Sequence, residues 1–366
     1  MIGRTSTSGA QAPGGIVQQI ARRVRGGGAA VPGRSSMFTL PLSVLTLIIA
    51  LGLPLINSNP YVLGVAILTF VYAVVTQSWN LVLGIAGILS FAQMAFFAVG
   101  AYTAAILNLN LGISPWLCTL VGTLAAVIAS LIVGLPSLRL RGVYVVLLTL
   151  AFQSMLTVMI QTDGSGLTGG TYGLMNVAPY LPLSMGFKGQ LLGTYYLALA
   201  LVVIVSFLIY RVIKSPLGLG LAALRDAEEV AANRGIYPAQ YKLLALAISA
   251  FFTGLAGAFY AHYYGIITPT VLDFGLSMNL LAMIVIGGWG TFGGPIIGTI
   301  LLSVLSELLQ GVSQYRLVIF GLILVVTIVV APQGLTGLFT SVLRRVEGVM
   351  KNRRQPAIGG QQEAGG

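Results

Sequence analysis

Ionisable side chains are scarce in this sequence, so the place where they crowd together is the first clue to its chemistry. Between Lys214 and Lys242 the chain reads KSPLGLGLAALRDAEEVAANRGIYPAQYK, with Arg225, Asp226, Glu228, Glu229 and Arg234 inside ten residues and apolar runs on both sides. Elsewhere the polar residues within apolar runs carry no charge: Gln77, Asn80, Ser90, Gln93, Thr103, Thr149 and Gln153. Glu307 and His262 stand apart, and no acid–base pair recurs at depth, which disfavours a proton-driven transporter. Glu307 reads as a helix-end carboxylate, and His262, in AFYAHYYG, as part of an interfacial aromatic belt. A single Cys118 and a single histidine exclude an intrachain disulfide and a cysteine or multi-histidine metal cage. No G-x-x-x-x-G-K-[ST] occurs, so the chain carries no P-loop ATPase of its own. These residue types suit docking and the binding of a neutral or zwitterionic solute, not covalent catalysis.

The charged stretch needs a short helix to present it. Ser215 can cap the first amides, Pro216 suits the first helical position, Gly235 can close the last turn in the left-handed region, and Pro238 bars continuation. The expectation is one helix over 215–235, firm from about Leu221 because Gly218 and Gly220 weaken its start. Leu217, Leu221, Leu224, Ala227 and Ala231 form a narrow apolar stripe opposite the charges. Such a stripe needs a partner surface: either a soluble subunit, which makes this a docking helix, or lipid headgroups. The candidate coupling residues are Leu221, Leu224, Arg225, Asp226, Glu228, Glu229, Ala231, Ala232 and Gly235.

The neutral set has a second possible use. Asn80, Gly84 and Gly87 recur at steps of four and three, which lets one helix face show an amide beside bare backbone. With Gln77, Ser90, Gln93, Thr149 and Gln153 they are candidates for a translocation path. Small and polar residues also glue helices together in lipid, and for any single residue that reading competes with a path.

The elements around these residues are membrane spans. The chain is 57% hydrophobic and 7% charged, with a mean hydropathy of +0.94. Its net charge of +11 sits in the tails and between apolar runs, not in a soluble basic patch interleaved with aromatics, so nucleic acid is excluded as a partner. Apolar runs fall near 37–56, 61–83, 85–107, 116–135, 143–160, 192–213, 243–265, 276–289, 294–310 and 317–334. The expectation is an all-α polytopic membrane protein of about ten transmembrane helices with both termini cytoplasmic. That count puts Arg139, Arg141, Arg211, Lys214, Arg225, Arg234 and Lys242 inside, leaving only Lys188 and Arg316 outside. Glycines break the runs near 84–87 and 287–290, where freed backbone must line a cavity or be buried in protein. GIAGILSFAQ (84–93) and GGWGTFGGP (287–295) fall on the same side, so they do not make an inverted repeat. Residues 1–36 read as a disordered basic extension, 37–340 as the transmembrane domain with an external loop at 161–191, and 341–366 as a disordered tail.

The sequence also carries a family resemblance. NLVLGIAGILSFAQMAFFAVGAYTAAIL (80–107), LRLRGVYVVLLTLAF (138–152), LTGGTYGL (167–174), RDAEEVAANRGIYPAQYKLLAL, ISAFFTGLAGAFYAHYYGIITP, LLAMIVIGGWGTFGGPIIG and YRLVIFGLILVVTIVVAPQGL together resemble the permeases of branched-chain amino acid ABC importers of the LivM type, over about 38–338. The resemblance implies a type II-like ABC importer permease in the bacterial cytoplasmic (inner) membrane. Its partners would be a second homologous permease, two cytoplasmic ABC ATPases that bind ATP and Mg, a periplasmic or lipid-anchored solute-binding protein, and membrane lipid. The chain itself would bind no cofactor. Glu229, Ala231, Ala232 and Gly235 stand where importers of this broad class carry an E-A-A…G docking signature. Two positions depart from the family: Ala92-Gln93 where it often has Gly-His, and Val143 where it has an acidic residue. Leucine, isoleucine and valine are the default solutes; other amino acids, amides or urea are the alternative. A self-sufficient secondary transporter and a multi-pass membrane enzyme are the competing classes, and the second lacks a dense His, Asp or Glu constellation.

Overall fold

A computed structural model describes residues 50–54, 59–182, 184, 186–308 and 321. The expected spans near 37–56 and 317–334 and both expected disordered tails lie wholly or mostly outside these residues. Asn59 accepts from the Tyr61 amide at 3.1 Å and Pro60 takes the first helical position, which starts α1, Pro60–Asn80. The helix widens into a π turn, Leu81–Ile85, where the amides of Ala86 and Ile88 reach back to Leu81 and Val82. Gly87, at φ +70°, then turns the chain out of helix. The next helix, α2 (Gln93–Leu111), therefore begins eight residues later than the apolar run at 85 suggested.

Four more long helices follow the same logic of proline or glycine at a boundary: α3 (Pro115–Ser137), α4 (Val143–Gln161), α5 (Gly186–Lys214) and, after the charged linker, α8 (Pro238–Tyr264). Gly112 (φ +61°) ends α2 and Gly265 (φ +69°) ends α8. With α2 and with α1 and its π turn, these make six helices among the described residues long and apolar enough to cross a membrane. The protein is a mostly helical, polytopic membrane protein. Two apolar helices are shorter: α9, Phe274–Gly287, with 14 residues, and α10, Gly294–Leu308, with 15. At about 1.5 Å per residue, α9 does not cover a hydrocarbon core of about 30 Å, while α10 runs up to the last described residue of its stretch. Gly288 at φ +117° separates them, as the glycine break at 287–290 implied.

Small residues set the packing. A Cβ on Gly100 would strike the Gly254 backbone, one on Gly257 the Phe97 backbone, and one on Gly122 the Gly100 carbonyl, so α2, α3 and α8 meet backbone to backbone. Gly298 and Gly287 do the same for α9 and α10. The most apolar windows of α1 and α8 are 61% buried and that of α4 only 22%, so α1 and α8 are central and α4 peripheral. Ile128 and Ile132 of α3, Val158 and Met159 of α4 and Phe207 of α5 face outward, as lipid-facing side chains do.

Two expectations change here. The external loop expected at 161–191 is shortened because α5 starts at Gly186, and it is built rather than plain. Leu174–Met175 (β1) pairs antiparallel with Ile266–Ile267 (β2), so the fold is not purely α-helical. Gly173 is required there, since a Cβ would collide with the Ile267 carbonyl. Asp163 closes the loop's first turn, accepting from the amides of Ser165 (2.9 Å) and Thr168 (2.6 Å) and from both hydroxyls. Those bonds, Ser165's first, hold its carboxyl well below the usual carboxylate range.

Candidate functional site

The charged linker is two helices, not the single one expected over 215–235: α6, Pro216–Asp226, and α7, Glu228–Asn233. Ala227, at φ −156° and ψ 84°, breaks them. Ser215 stands at the N-cap position, but its hydroxyl donates back to Val212 O at 2.6 Å, so the cap bond expected of it is not made. Gly218 and Gly220 do not fray the start; they admit close neighbours, the Ile213 backbone and the Tyr241 ring. Gly235 does take the left-handed conformation, at φ +86°.

The apolar stripe finds its partner within the chain. Leu221, Leu224 and Ala231 are buried and Leu217 is half-buried, while Ala227 of the same stripe is exposed; α6 packs on α5, α8 and the π turn of α1. What remains outward is the other side: Leu219, Val230 and Tyr237 among large apolar residues, with Asp226, Glu229, Ala232, Arg234 and Gly235. Glu228 pairs with Lys242 Nζ at 2.7 Å, tying α7 to the start of α8. Arg225 turns inward. Its Nη1 donates to Gly84 O at 2.7 Å, and its Nη2 lies 3.0 Å from Asp226 Oδ1.

The two glycine-dense stretches, 84–93 and 287–295, meet at this point. Asn80 Oδ1 accepts from the Gly290 amide at 2.8 Å and its Nδ2 donates to Thr291 O at 2.9 Å. A Cβ on Gly84 would strike both Asn80 Oδ1 and the Gly290 amide. Asn80, Gly84 and Gly87, singled out as a path face, are thus drawn to the junction of α1, α6 and the α9–α10 turn.

The other path candidates are buried between helices. Trp79 Nε1 donates to Ser90 O at 2.8 Å, and Thr149 Oγ1 accepts from the Phe91 amide at 2.9 Å, which fixes the irregular segment 86–92 against α1 and α4. The glutamines are of special interest because each is half-used. Gln77 Oε1 accepts from Ser206 at 2.7 Å, Gln93 Nε2 donates to Ser249, and Gln153 Nε2 donates to Leu272 O at 2.9 Å and Ser277 Oγ at 3.1 Å. Gln77 Nε2, Gln93 Oε1 and Gln153 Oε1 are buried without a partner. An unmet buried amide atom costs about 1–3 kcal/mol, so these residues both bind helices together and hold polarity in reserve. An apolar recess of about 610 Å³ between Val127 of α3, Leu208–Ser215 and Ala247–Phe252 of α8 contains none of them.

At the opposite end, His262 is buried instead of lying in a lipid-facing belt. Its Nδ1 donates to Ala178 O at 2.7 Å and its ring lies 5.0 Å from that of Tyr180, which also stacks on Phe259 and meets Trp116 at a tilt. Only the spacing of Tyr180 and Ala178 in the loop could have signalled this, and loop contacts leave no periodicity. Among the described residues, no group of three or more His, Cys, Asp or Glu could hold a metal.

Residues 61–331 match the family model described as "Branched-chain amino acid transport system / permease component". The chain is 31% identical over 333 residues to the high-affinity branched-chain amino acid transport system permease protein LivM of Escherichia coli (strain K12), covering 85% of this chain and 78% of that protein. It is 30% identical over 330 residues to its namesake in Salmonella typhimurium, covering 84% and 77%. It is 26% identical over 274 residues to the probable branched-chain amino acid transport permease protein LivH of Methanocaldococcus jannaschii, covering 70% and 85%. No solved structure matches the chain. Its described residues form a helical bundle, one family model matches most of its length, and the chain belongs to the branched-chain amino acid transport system permease component family.

Proposed function

We propose that the chain is a membrane-spanning permease subunit of an ATP-driven importer of branched-chain amino acids, leucine, isoleucine and valine. The observation that carries this reading is an interior that, among the described residues, buries no Asp, Glu, Lys or Arg and where Gln77, Gln93 and Gln153 each keep one amide atom unpartnered. Such a route suits a zwitterion delivered by a binding protein. It offers a few polar contacts, and no fixed ion holds the solute in place. A second homologous permease would complete the route. Two cytoplasmic ABC ATPases would bind ATP and Mg and dock on the exposed side of α6 and α7, and a periplasmic or lipid-anchored protein would supply the solute. In this reading the chain lies in the bacterial inner membrane with both termini and residues 214–242 on the cytoplasmic side, where the positive-inside rule puts them. ATP binding and hydrolysis shift an equilibrium between outward- and inward-open states, by no more than their differential affinity for the two.

Solute identity rests on Gln93 more than on Val143. Val143 is 69% exposed at the start of α4, so its departure from the family bears on the route only where the second permease covers that face. Gln93 is buried between α1 and α8.

The test is uptake of labelled leucine into liposomes holding this chain, its partner permease and the ATPases, with the binding protein outside. ATP-dependent uptake competed by isoleucine and valine but not by urea supports the proposal. Flux without ATPases would overturn it in favour of a secondary transporter, and competition by urea alone would reassign the solute.

A further inference from the structure

Arg225 has no business at an ordinary docking surface. It belongs to the charged linker by sequence, but its stem and head are committed to a membrane span. The aliphatic part lies over Gly87, where an added Cβ would sit 2.5 Å from Arg225 Cγ and 3.2 Å from its Cβ and Cδ. The guanidinium donates to the carbonyl of Gly84, in the last turn of the π-widened end of α1, at 2.7 Å. Carbonyls in a final helical turn lack the usual amide partners, and a cation there also complements the helix dipole. The neighbouring Asn80 fastens the same end of α1 to Gly290 and Thr291, in the turn that joins α9 to α10. One continuous set of contacts therefore runs from the linker, through the broken end of α1, to the α9–α10 turn.

The linker is jointed where such a connection would need it. α6 ends at Asp226, one residue after Arg225, and Ala227 breaks the helix before α7. On the far side of the joint, Glu228 is held by Lys242 at the start of α8. Each side of the joint thus has its own attachment to the bundle: α6 to α1 through Arg225, and α7 to α8 through the ion pair.

We propose that Arg225 is a positioning residue that ties movement of the linker to the inner end of α1. Displacement of α6 draws the guanidinium off the Gly84 carbonyl, uncaps the π turn and frees the α9–α10 turn that Asn80 clamps to it. The inference rests on the permease reading for its consequence, although not for its geometry. Arg225 acts through Gly84 and touches neither solute nor ATPase. Arginine suits the role because its planar fork reaches Gly84 and Asp226 together, which a lysine ammonium does not reproduce.

Two measurements test it on the full chain. In nanodiscs, R225A should speed amide hydrogen exchange across residues 81–90 by about tenfold, with R225K between it and the parent. Unchanged protection there overturns the tie, whatever the chain transports. In the assembled transporter, R225A should keep its ATPases bound and hydrolysing while leucine moved per ATP falls by about tenfold, the size of a typical coupling. N80A leaves residues 214–242 untouched and should show the same uncoupling. Loss of the ATPases from R225A would make Arg225 a docking contact and overturn the proposal, as would normal uptake per ATP in both variants. A parent complex with no ATP-driven uptake would count against the permease reading alone, because the exchange measurement still decides the tie.

Discussion

The two ends of the helical bundle are held together in different ways. At the end carrying α6 and α7, the junction depends on a few directional bonds made by two side chains: Asn80 to the 290–291 backbone and Arg225 to Gly84. At the other end, Tyr180 stacks on Phe259, packs at a tilt against Trp116 and His262 and bonds to Thr119 at 2.6 Å, while Asn108 accepts from the Ala178 amide and β1 pairs with β2. Ring contacts are numerous and weakly directional, so they resist separation but tolerate small shifts. A bond to a single carbonyl is either made or lost. The first end has the character of a switch and the second that of a clasp. An alternating-access permease needs both, since its states must be few and close in free energy.

If one end is a switch and the other a clasp, stability and coupling respond to different substitutions. Tyr180→Ala removes the shared ring of the clasp and should lower unfolding stability by about 3 kcal/mol, the low end for truncating an aromatic because Tyr180 is half-buried. Thermal unfolding in detergent measures this, and solute moved per ATP should not change. Gly84→Ala forces a methyl between Asn80 and Gly290 and should cost about 1–3 kcal/mol, the usual range for overpacking. Here the larger effect should be on uptake per ATP. A Gly84→Ala chain that is destabilised but fully coupled would show that the junction only holds the fold.

A milder change sharpens the clasp side. Thr119 Oγ1 already donates to Pro115 O at 2.8 Å, so the Tyr180 hydroxyl is the donor in their bond. Tyr180→Phe therefore removes one donor and leaves Thr119 satisfied by its other bond. A loss of about 1 kcal/mol is expected in the same unfolding assay, the usual net value of a hydrogen bond. A loss as large as that of Tyr180→Ala would mean that the hydroxyl, and not stacking, holds this end.

The sequence was informative where a residue type has one conformational meaning. Proline at the first helical position marked the starts at 216 and 238, glycine marked the turn at 235, and the glycine breaks near 84–87 and 287–290 were plain from the sequence. What those two stretches do for each other was not. They are some 200 residues apart, and only the fold shows Asn80 bonding across to Gly290. The stripe of Leu221, Leu224 and Ala231 was legible as a stripe, but periodicity says that a face is buried and not against what; its partner is the chain's own bundle. The joint at Ala227 was invisible because alanine is the best helix former and gives no local sign of a break. His262 misled for a similar reason: tyrosines around it resemble an interfacial belt, while the stacking partner Tyr180 comes from a loop without periodicity.

The smallest effect expected concerns the loop beside the clasp, and it tests whether that loop belongs to the clasp at all. Asp163 is held in its charged form by Ser165 and Thr168, so its folded pKa lies below the ordinary value of 3.8. A depressed carboxylate contributes its ordering fully above the unfolded value, and the contribution is lost as pH falls through the folded one. Amide exchange at Ser165 and Thr168, corrected for intrinsic rates, should therefore stay protected from neutral pH down through the usual carboxylate range and give way only at more acid pH. Asp163→Asn should lose that protection at every pH, because an amide cannot accept four donors as a carboxylate does. The unfolding temperature of the bundle should not follow, since the Asp163 carboxylate bonds only within its own loop, to Ser165 and Thr168. Should Asp163→Asn also weaken the Tyr180 stack, the clasp would extend to the loop, and its tolerance of small shifts would have to be shared with a set of directional bonds.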